Sequence, residues 1–181
     1  MSRDDDWESI TRFKDGNLAA FSELVERYER VVFNCAFRIV GDMEDAADVA
    51  QSVFLKLYQH VESVDSSRPF FSWLYRVAVN EAFDHKRKKR PHDVFDEEVV
   101  ETTDSSPDLQ LVQRDREVVL MRSMDHLSEE QRSVIVLRHF VELSYRDIAG
   151  VLDIPESQVK SRLYAARQRL KDILLKTGGI D

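Results

Sequence analysis

The chain is poor in the residues that punctuate or cross-link a fold. It has one cysteine, four prolines and five glycines among 181 residues. A single thiol, Cys35, excludes an internal disulfide and any zinc site built on several cysteines. It lies in the apolar run Val31-Val32-Phe33-Asn34-Cys35-Ala36-Phe37, where a buried, inert thiol is expected. With 33% charged and 43% hydrophobic residues beside so little glycine and proline, a collagen-like, mucin-like or wholly disordered chain is excluded. No apolar run reaches the roughly 20 residues of a membrane-spanning helix. The opening Met-Ser-Arg-Asp-Asp-Asp lacks a signal-peptide core, so a cytoplasmic location is expected. A basic excess is also missing: 26 Lys and Arg face 34 Asp and Glu, for a net charge of −8. Taken whole, that balance speaks against nucleic-acid binding, whose usual footprint is basic.

The distribution reverses that first impression. Residues 76–90 hold six basic side chains (Arg76, Lys86, Arg87, Lys88, Lys89, Arg90) against Glu81 and Asp84. Residues 156–176 hold six more against Glu156 and Asp172. Between them, residues 91–113 carry seven acids and neither Lys nor Arg. Two basic islands therefore flank an acidic strip.

Apolar periodicity is helical throughout. Phe21, Leu24, Val25, Tyr28, Val31, Val32, Cys35, Ala36 and Ile39 step by threes and fours, with Asn17 as N-cap and Gly41 as stop. A second helix runs from about Glu44 to His60 on the stripe Val49, Val53, Leu57, Val61. Pro69 opens a third, bearing Phe70, Leu74, Val77 and Ala78, and Pro91 ends it near Arg90. From Pro91 to about Ser106 the period disappears among acids, Thr, Ser and Pro, which reads as an extended, self-repelling linker. Helical spacing returns from about Leu109 to His126. Ser128-Glu129-Glu130-Gln131 has the pattern of a capping box, Ser144 opens a short helix to Leu152, and Glu156 to about Leu175 forms the last. The expected fold is all-α: a three-helix N-terminal unit over residues 1–90, a flexible acidic linker over 91–108, and a four-helix C-terminal unit over 109–181.

No His/Glu zinc motif, glycine-rich phosphate loop or nucleophile–base pattern is present, so neither an enzyme nor a cofactor is expected. The five histidines (60, 85, 92, 126 and 139) have no ligand spacing.

The pair of helices from Leu143 to Leu170 has the pattern of a helix-turn-helix. On the second, Val159, Leu163, Ala166, Leu170 and Ile173 form one inner stripe. Lys160, Tyr164, Arg167 and Lys171 repeat those steps on a neighbouring face, with Ser161 and Arg162 beside it. That face offers cations to phosphates, a hydroxyl and an amine to base edges, and an aromatic ring to a thymine methyl. An ordinary solvated basic face is the competing reading.

Leu127-Ser128-Glu129-Glu130-Gln131-Arg132, Leu143-Ser144-Tyr145-Arg146-Asp147-Ile148-Ala149, Ile154-Pro155 and Val159-Lys160-Ser161-Arg162-Leu163 together resemble region 4 of bacterial sigma factors. The resemblance implies binding of the −35 promoter element as duplex, with Lys160, Ser161 and Tyr164 toward bases and Arg146, Arg162 and Arg167 toward phosphates. Response-regulator output domains share a similar motif. The N-terminal half discriminates: Ala47-Asp48-Val49-Ala50-Gln51-Ser52-Val53-Phe54-Leu55 resembles sigma region 2.2, and Phe71 to Asn80 with Asp84 and Arg87 resembles regions 2.3–2.4. Two regions joined by a linker too short for a third is the arrangement of the extracytoplasmic-function (ECF) group.

That resemblance implies a subunit binding core RNA polymerase, through its β′ coiled coil and β flap, and promoter DNA. Asp48, Gln51 and Phe54 match the polymerase-binding pattern. Ala47 and Ser52 depart from it, standing where glutamates are usual. Melted −10 DNA would meet Ser66, Ser67 and Arg68 in a polar loop, with Trp73 and Tyr75 as stacking groups. Asn80, Asp84 and Arg87 would share one helix face, where Asn80 can pair with a base edge, and Arg76 and Lys86–Arg90, Lys88 among them, would hold the backbone. The resemblance further implies an anti-sigma partner and a monomer outside the holoenzyme. The acidic linker would thread a positively charged nucleic-acid channel. A one-component helix-turn-helix regulator and a helical interaction module without DNA function are the alternatives.

Overall fold

The computed structural model describes the backbone over residues 3–89 and 118–176, and every regular element there is helical. Helix α1 spans Arg3–Lys14, α2 Leu18–Val40, α3 Met43–His60 and α4 Phe70–Lys89, with a 3-10 turn at Val61–Ser63 between the last two. A helical segment over 118–125, α5, is followed by α6 (Glu129–His139), α7 (Tyr145–Leu152) and α8 (Glu156–Lys176). The acidic linker and residues 109–117 of the next expected helix lie outside the described residues.

Local chemistry sets the boundaries. The Asn17 side chain accepts from the Ala19 and Ala20 amides, and Gly41 closes α2 in the left-handed region at φ 84°. Asp42 caps α3 through the Asp45 amide. Ser128 and Gln131 form a complete capping box on α6, and the Ser144 hydroxyl accepts from the Asp147 amide on α7. These caps satisfy N–H groups that have no partner inside the helix.

The N-terminal unit contains one helix more than expected. Helix α1 is mostly polar, and its few apolar side chains include Ile10 and Phe13, which are buried. Charge chemistry docks it on α2. Asp6, almost wholly buried, takes a 2.6 Å hydrogen bond from the Tyr28 hydroxyl and a 2.7 Å bond from Arg27. Burial, and then the bond to Asp6, push the Tyr28 phenol well above its ordinary range. Tyr28→Phe would leave a buried carboxylate short of a donor, so we expect a loss of about 2 kcal/mol. Urea unfolding of the two proteins checks it.

Helices α2, α3 and α4 pack on one another around Leu24, Val32, Ile39, Val53, Leu57, Leu74 and Ala78. Cys35 is fully buried among them, and that burial pushes its thiol up to about 12, so the expected inert thiol is what the fold provides. In the C-terminal unit α6 and α7 pack against α8 through Val134, Leu137, Ile148, Val151, Val159 and Leu163. The two units are not separate: α7 lies against α4, α6 touches α2, and the buried apolar residues of both form one continuous cluster.

Candidate nucleic-acid and polymerase interfaces

The α7–turn–α8 pair presents the arrangement expected of a DNA reader. Asp153 ends α7 in the left-handed region at φ 57°, and Pro155 precedes α8. On α8, Val159, Leu163, Ala166 and Leu170 are buried, and Ile173 is partly so. Lys160, Ser161, Tyr164, Arg167 and Lys171 are exposed, Tyr164 to 69%. A buried stripe beside an exposed cationic and aromatic face gives a helix fixed on one side and open on the next. Lys160 makes an i,i+4 pair with Glu156 at 2.9 Å, which exposed geometry leaves weak and exchangeable for phosphate. Arg162 is less available: it is partly covered and 3.1 Å from Glu130 on α6. Arg146, at the start of α7, is exposed and lines a polar depression with Arg138, Ser144, Tyr145 and Glu156.

His139, at the end of α6, lies at the surface 3.2 Å from Arg167. Burial, then the charges of Arg167 and Arg138, hold its imidazole below the ordinary 6.5. A histidine whose folded pKa is lowered stabilises the fold while neutral. That contribution is complete above pH 6.5 and declines as pH falls through the folded value, because the unfolded state then binds more protons. His139→Gln should therefore flatten the loss of stability below pH 6.5, measured as denaturation midpoints at pH 7.5 and 5.5.

In the N-terminal unit, α3 turns an outer face to solvent. Asp48 and Gln51 are exposed on it, as are Ala47, Leu55, Tyr58 and Gln59. Phe54 is not part of that face; it is only 8% exposed, because its position falls beside Val53 and Leu57 on the inner stripe. The side chains that the sequence reading missed are Leu55 and Tyr58, 53% and 51% exposed. Their signal was there: large apolar residues off the Val49–Val53–Leu57 stripe. Tyr58 also packs its ring near Phe13 and Phe21, which anchors the end of the face.

The loop before α4 and the outer side of α4 hold the other proposed set. Ser66, Ser67 and Arg68 are exposed, and the Asp65 carboxylate accepts from the Ser67 amide at 2.8 Å. Trp73 is partly exposed and nearly parallel to Phe70, centroids 6.4 Å apart. Tyr75 is a correction: at 4% exposure it packs edge-on to Tyr28 in the core and offers no stacking platform. Asn80 and Lys88 are exposed. Asp84 and Arg87 share a helix face, as their spacing requires, and are ion-paired with each other.

The cations of this set do not face open solvent alone. Arg76 donates from Nε to the Val151 carbonyl and from a terminal nitrogen to that of Gly150, each at 2.8 Å. Arg68 lies 3.4 Å from Asp153, and Arg87 2.6 Å from Glu129. Lys86 pairs with Asp125. Every one of these partners belongs to α5, α6 or the α7 terminus.

A helix-turn-helix with an open basic face, on the same chain as a helical unit bearing a cationic, aromatic surface, defines a DNA-binding transcription protein. The comparisons sharpen this. The chain matches sigma-70 region 2 over residues 24–92 and sigma-70 region 4 over residues 117–170. It is 31% identical to the ECF RNA polymerase sigma factor SigW of Bacillus subtilis, across 90% of this chain and 92% of that one. It is likewise 31% identical to the ECF RNA polymerase sigma-E factor of Escherichia coli K12, across 89% and 90%. Among solved structures, CnrH in complex with the cytosolic domain of CnrY superposes with a TM-score of 0.72 at 25% identity, covering 95% of this chain and 96% of that one. The sigma factor RpoE of Bartonella quintana, in complex with the anti-sigma factor NepR, shares the fold at a TM-score of 0.62 and 24% identity, covering 85% and 96%. The chain belongs to the ECF group of the sigma-70 family: it is a non-enzymatic RNA polymerase sigma factor that directs promoter-specific transcription initiation.

Proposed function

We propose that the two basic surfaces divide promoter recognition between them. Residues 109–181 read the −35 duplex, with Lys160, Ser161 and Tyr164 at base edges and Arg146, Arg162 and Arg167 at phosphates. Residues 1–90 bind core polymerase and capture the melted −10 strand. There Ser66, Ser67 and Arg68 receive an extruded base, Trp73 stacks, Asn80 takes a base edge on the face it shares with Asp84, and Arg76, Arg87 and Lys88 hold the backbone. Residues 91–108 connect the two and set their reach.

One observation carries this reading: α8 is held by a buried stripe while Lys160, Tyr164 and Arg167 project from the neighbouring, exposed face. A helix held that way can enter a major groove without rearranging its own unit. On α3, the exposed Asp48 and Gln51 beside Leu55 and Tyr58 supply a mixed polar and apolar surface suited to a helical partner, and we assign the β′ coiled coil to it. The β flap is left to region 4. Among the described residues no helix is long and apolar enough to cross a membrane. We assign the chain's action to the cytoplasm, as a monomer that joins polymerase. An anti-sigma protein is the expected regulatory partner, as NepR is for the Bartonella factor.

The test is in vitro transcription with core polymerase over a library of promoter fragments. Polymerase-dependent initiation at a shared −35/−10 pair supports the assignment, and binding to a palindrome without polymerase rejects it. Within the same assay, Asp48→Lys with Gln51→Ala should lower the yield at limiting polymerase at least about tenfold, one lost charged contact being worth over 1 kcal/mol. Saturating polymerase should restore it.

A further inference from the structure

Two cations of the α8 surface, Lys160 and Arg162, each have a carboxylate beside them, Glu156 at 2.9 Å and Glu130 at 3.1 Å. Arg167 differs. Its neighbour, at 3.2 Å, is the Nε2 atom of His139, the last residue of α6. A guanidinium has donors and no acceptor, so this contact needs an imidazole that accepts at Nε2 and carries its proton on Nδ1. A protonated His139 would set one N–H against another and one positive charge against another. Neutral His139 therefore holds Arg167, and cationic His139 must release it unless an anion stands between them.

The surroundings keep that balance close. Partial burial, then two cationic neighbours, Arg167 of α8 and Arg138 of its own helix, favour the neutral imidazole. Among the described residues these are the charges that face it, and α2 and α7, also packed on α6, add none. Arg138 is itself fixed: it donates to the Leu143 carbonyl at 2.8 Å, and its guanidinium lies 5.3 Å from the Tyr145 ring centre. Against these, the C-terminal end of α6 is the negative pole of that helix and favours a cation. Both His139 and Arg167 are exposed. A phosphate oxygen that reaches Arg167 arrives beside the imidazole, and its negative charge tips the ring toward protonation.

We propose that His139 and Arg167 form one phosphate subsite of the −35 interface, in which the arriving phosphate displaces the contact between them, the imidazole takes a proton from solvent, and both cations close on the phosphate. This rests on the reading of Arg167 as a phosphate contact. Binding coupled to proton uptake strengthens as pH falls, so His139 gives promoter affinity a pH response of its own.

Holoenzyme binding to a fluorescent promoter fragment, followed by anisotropy at pH 8 and pH 6, tests it. Glutamine can hydrogen-bond but does not titrate, so any pH response of polymerase itself cancels between wild type and His139→Gln. Wild-type affinity should rise about threefold relative to that variant, within the limit of about tenfold per pH unit for one proton. His139→Arg, cationic throughout, should bind more tightly than His139→Gln at both pH values. Equal pH responses of wild type and His139→Gln overturn the proposal, as does a His139→Arg chain that binds no better than His139→Gln.

A second measurement needs no comparison of affinities. In nitrogen-detected NMR of the full chain, the His139 ring should show the Nδ1–H tautomer at pH 8 and become imidazolium when the −35 duplex is added at pH 6.5. A ring that stays neutral in the complex overturns it. Failure of the underlying phosphate assignment is distinguishable. If Arg167→Ala leaves promoter binding unaltered, that assignment falls and the proposal with it. If Arg167→Ala weakens binding while wild type and His139→Gln answer pH alike, only the proposal falls.

Discussion

Reversing two charges on α8, Lys160→Glu with Arg167→Glu, should reduce initiation at a −35-dependent promoter by at least about 100-fold. Each change replaces an attraction to DNA with a repulsion, and a single good contact is worth about 1–3 kcal/mol. The cost to the fold should be small. Both side chains are exposed, and the Lys160–Glu156 pair is a solvent-facing contact of little worth. Promoter titration alongside thermal melting separates the outcomes: initiation should collapse while the melting temperature holds. Tyr164→Ala should behave differently, relaxing the preference at one base pair more than it weakens binding overall. Unchanged initiation by the double reversal would make the basic face of α8 ordinary solvated surface.

The second large effect is on stability. Arg132 is 2% exposed, and its guanidinium donates to the Asp125 carboxylate and to the carbonyls of Arg38 and Met124. Burial alone would raise the Asp125 carboxyl, but hydrogen bonds from Lys86 and Arg132 outweigh it and hold the group below its ordinary value. Arg132→Met keeps much of the volume and removes every donor. We expect a loss of about 3 kcal/mol, the lower end for a broken buried pair because Asp125 keeps contact with water. At a urea sensitivity of about 1.5 kcal/mol per molar, the midpoint should fall by about 2 M. Arg132→Lys should recover only part of it, since an ammonium cannot span the acceptors fixed by a planar fork. A midpoint unchanged by Arg132→Met would mean that hydration replaces the whole set.

The residues of these two predictions mark where sequence reading succeeds and where it stops. Lys160 and Arg167 were legible because a helix encodes its faces at fixed steps, and a basic stripe beside an apolar one needs no distant information. Helix ends were legible for the same reason: Asn17, Gly41, Ser128 and Ser144 act on backbone groups a few residues away. Helix α1 was missed because its docking rests on Asp6 reaching Arg27 and Tyr28, which no local period reveals. Phe54 and Tyr75 were placed on the wrong side of their helices because a family motif records which residue stands at a position, whereas packing decides which way it turns. The packing of the two units was invisible. Arg68 and Asp153 are 85 positions apart, and Arg132 and Arg38 are 94. In sequence each looks like one more surface charge.

The contacts at Arg76 and Arg132 carry a consequence for how the molecule melts. Each arginine donates to backbone carbonyls at a helix end of the other unit, Arg76 to Gly150 and Val151 on α7 and Arg132 to Arg38 on α2. Unfolding either unit strips the other of donors to carbonyls that its own helix leaves without partners. The two units should therefore unfold in one cooperative transition, seen as a single calorimetric peak whose van't Hoff and calorimetric enthalpies agree.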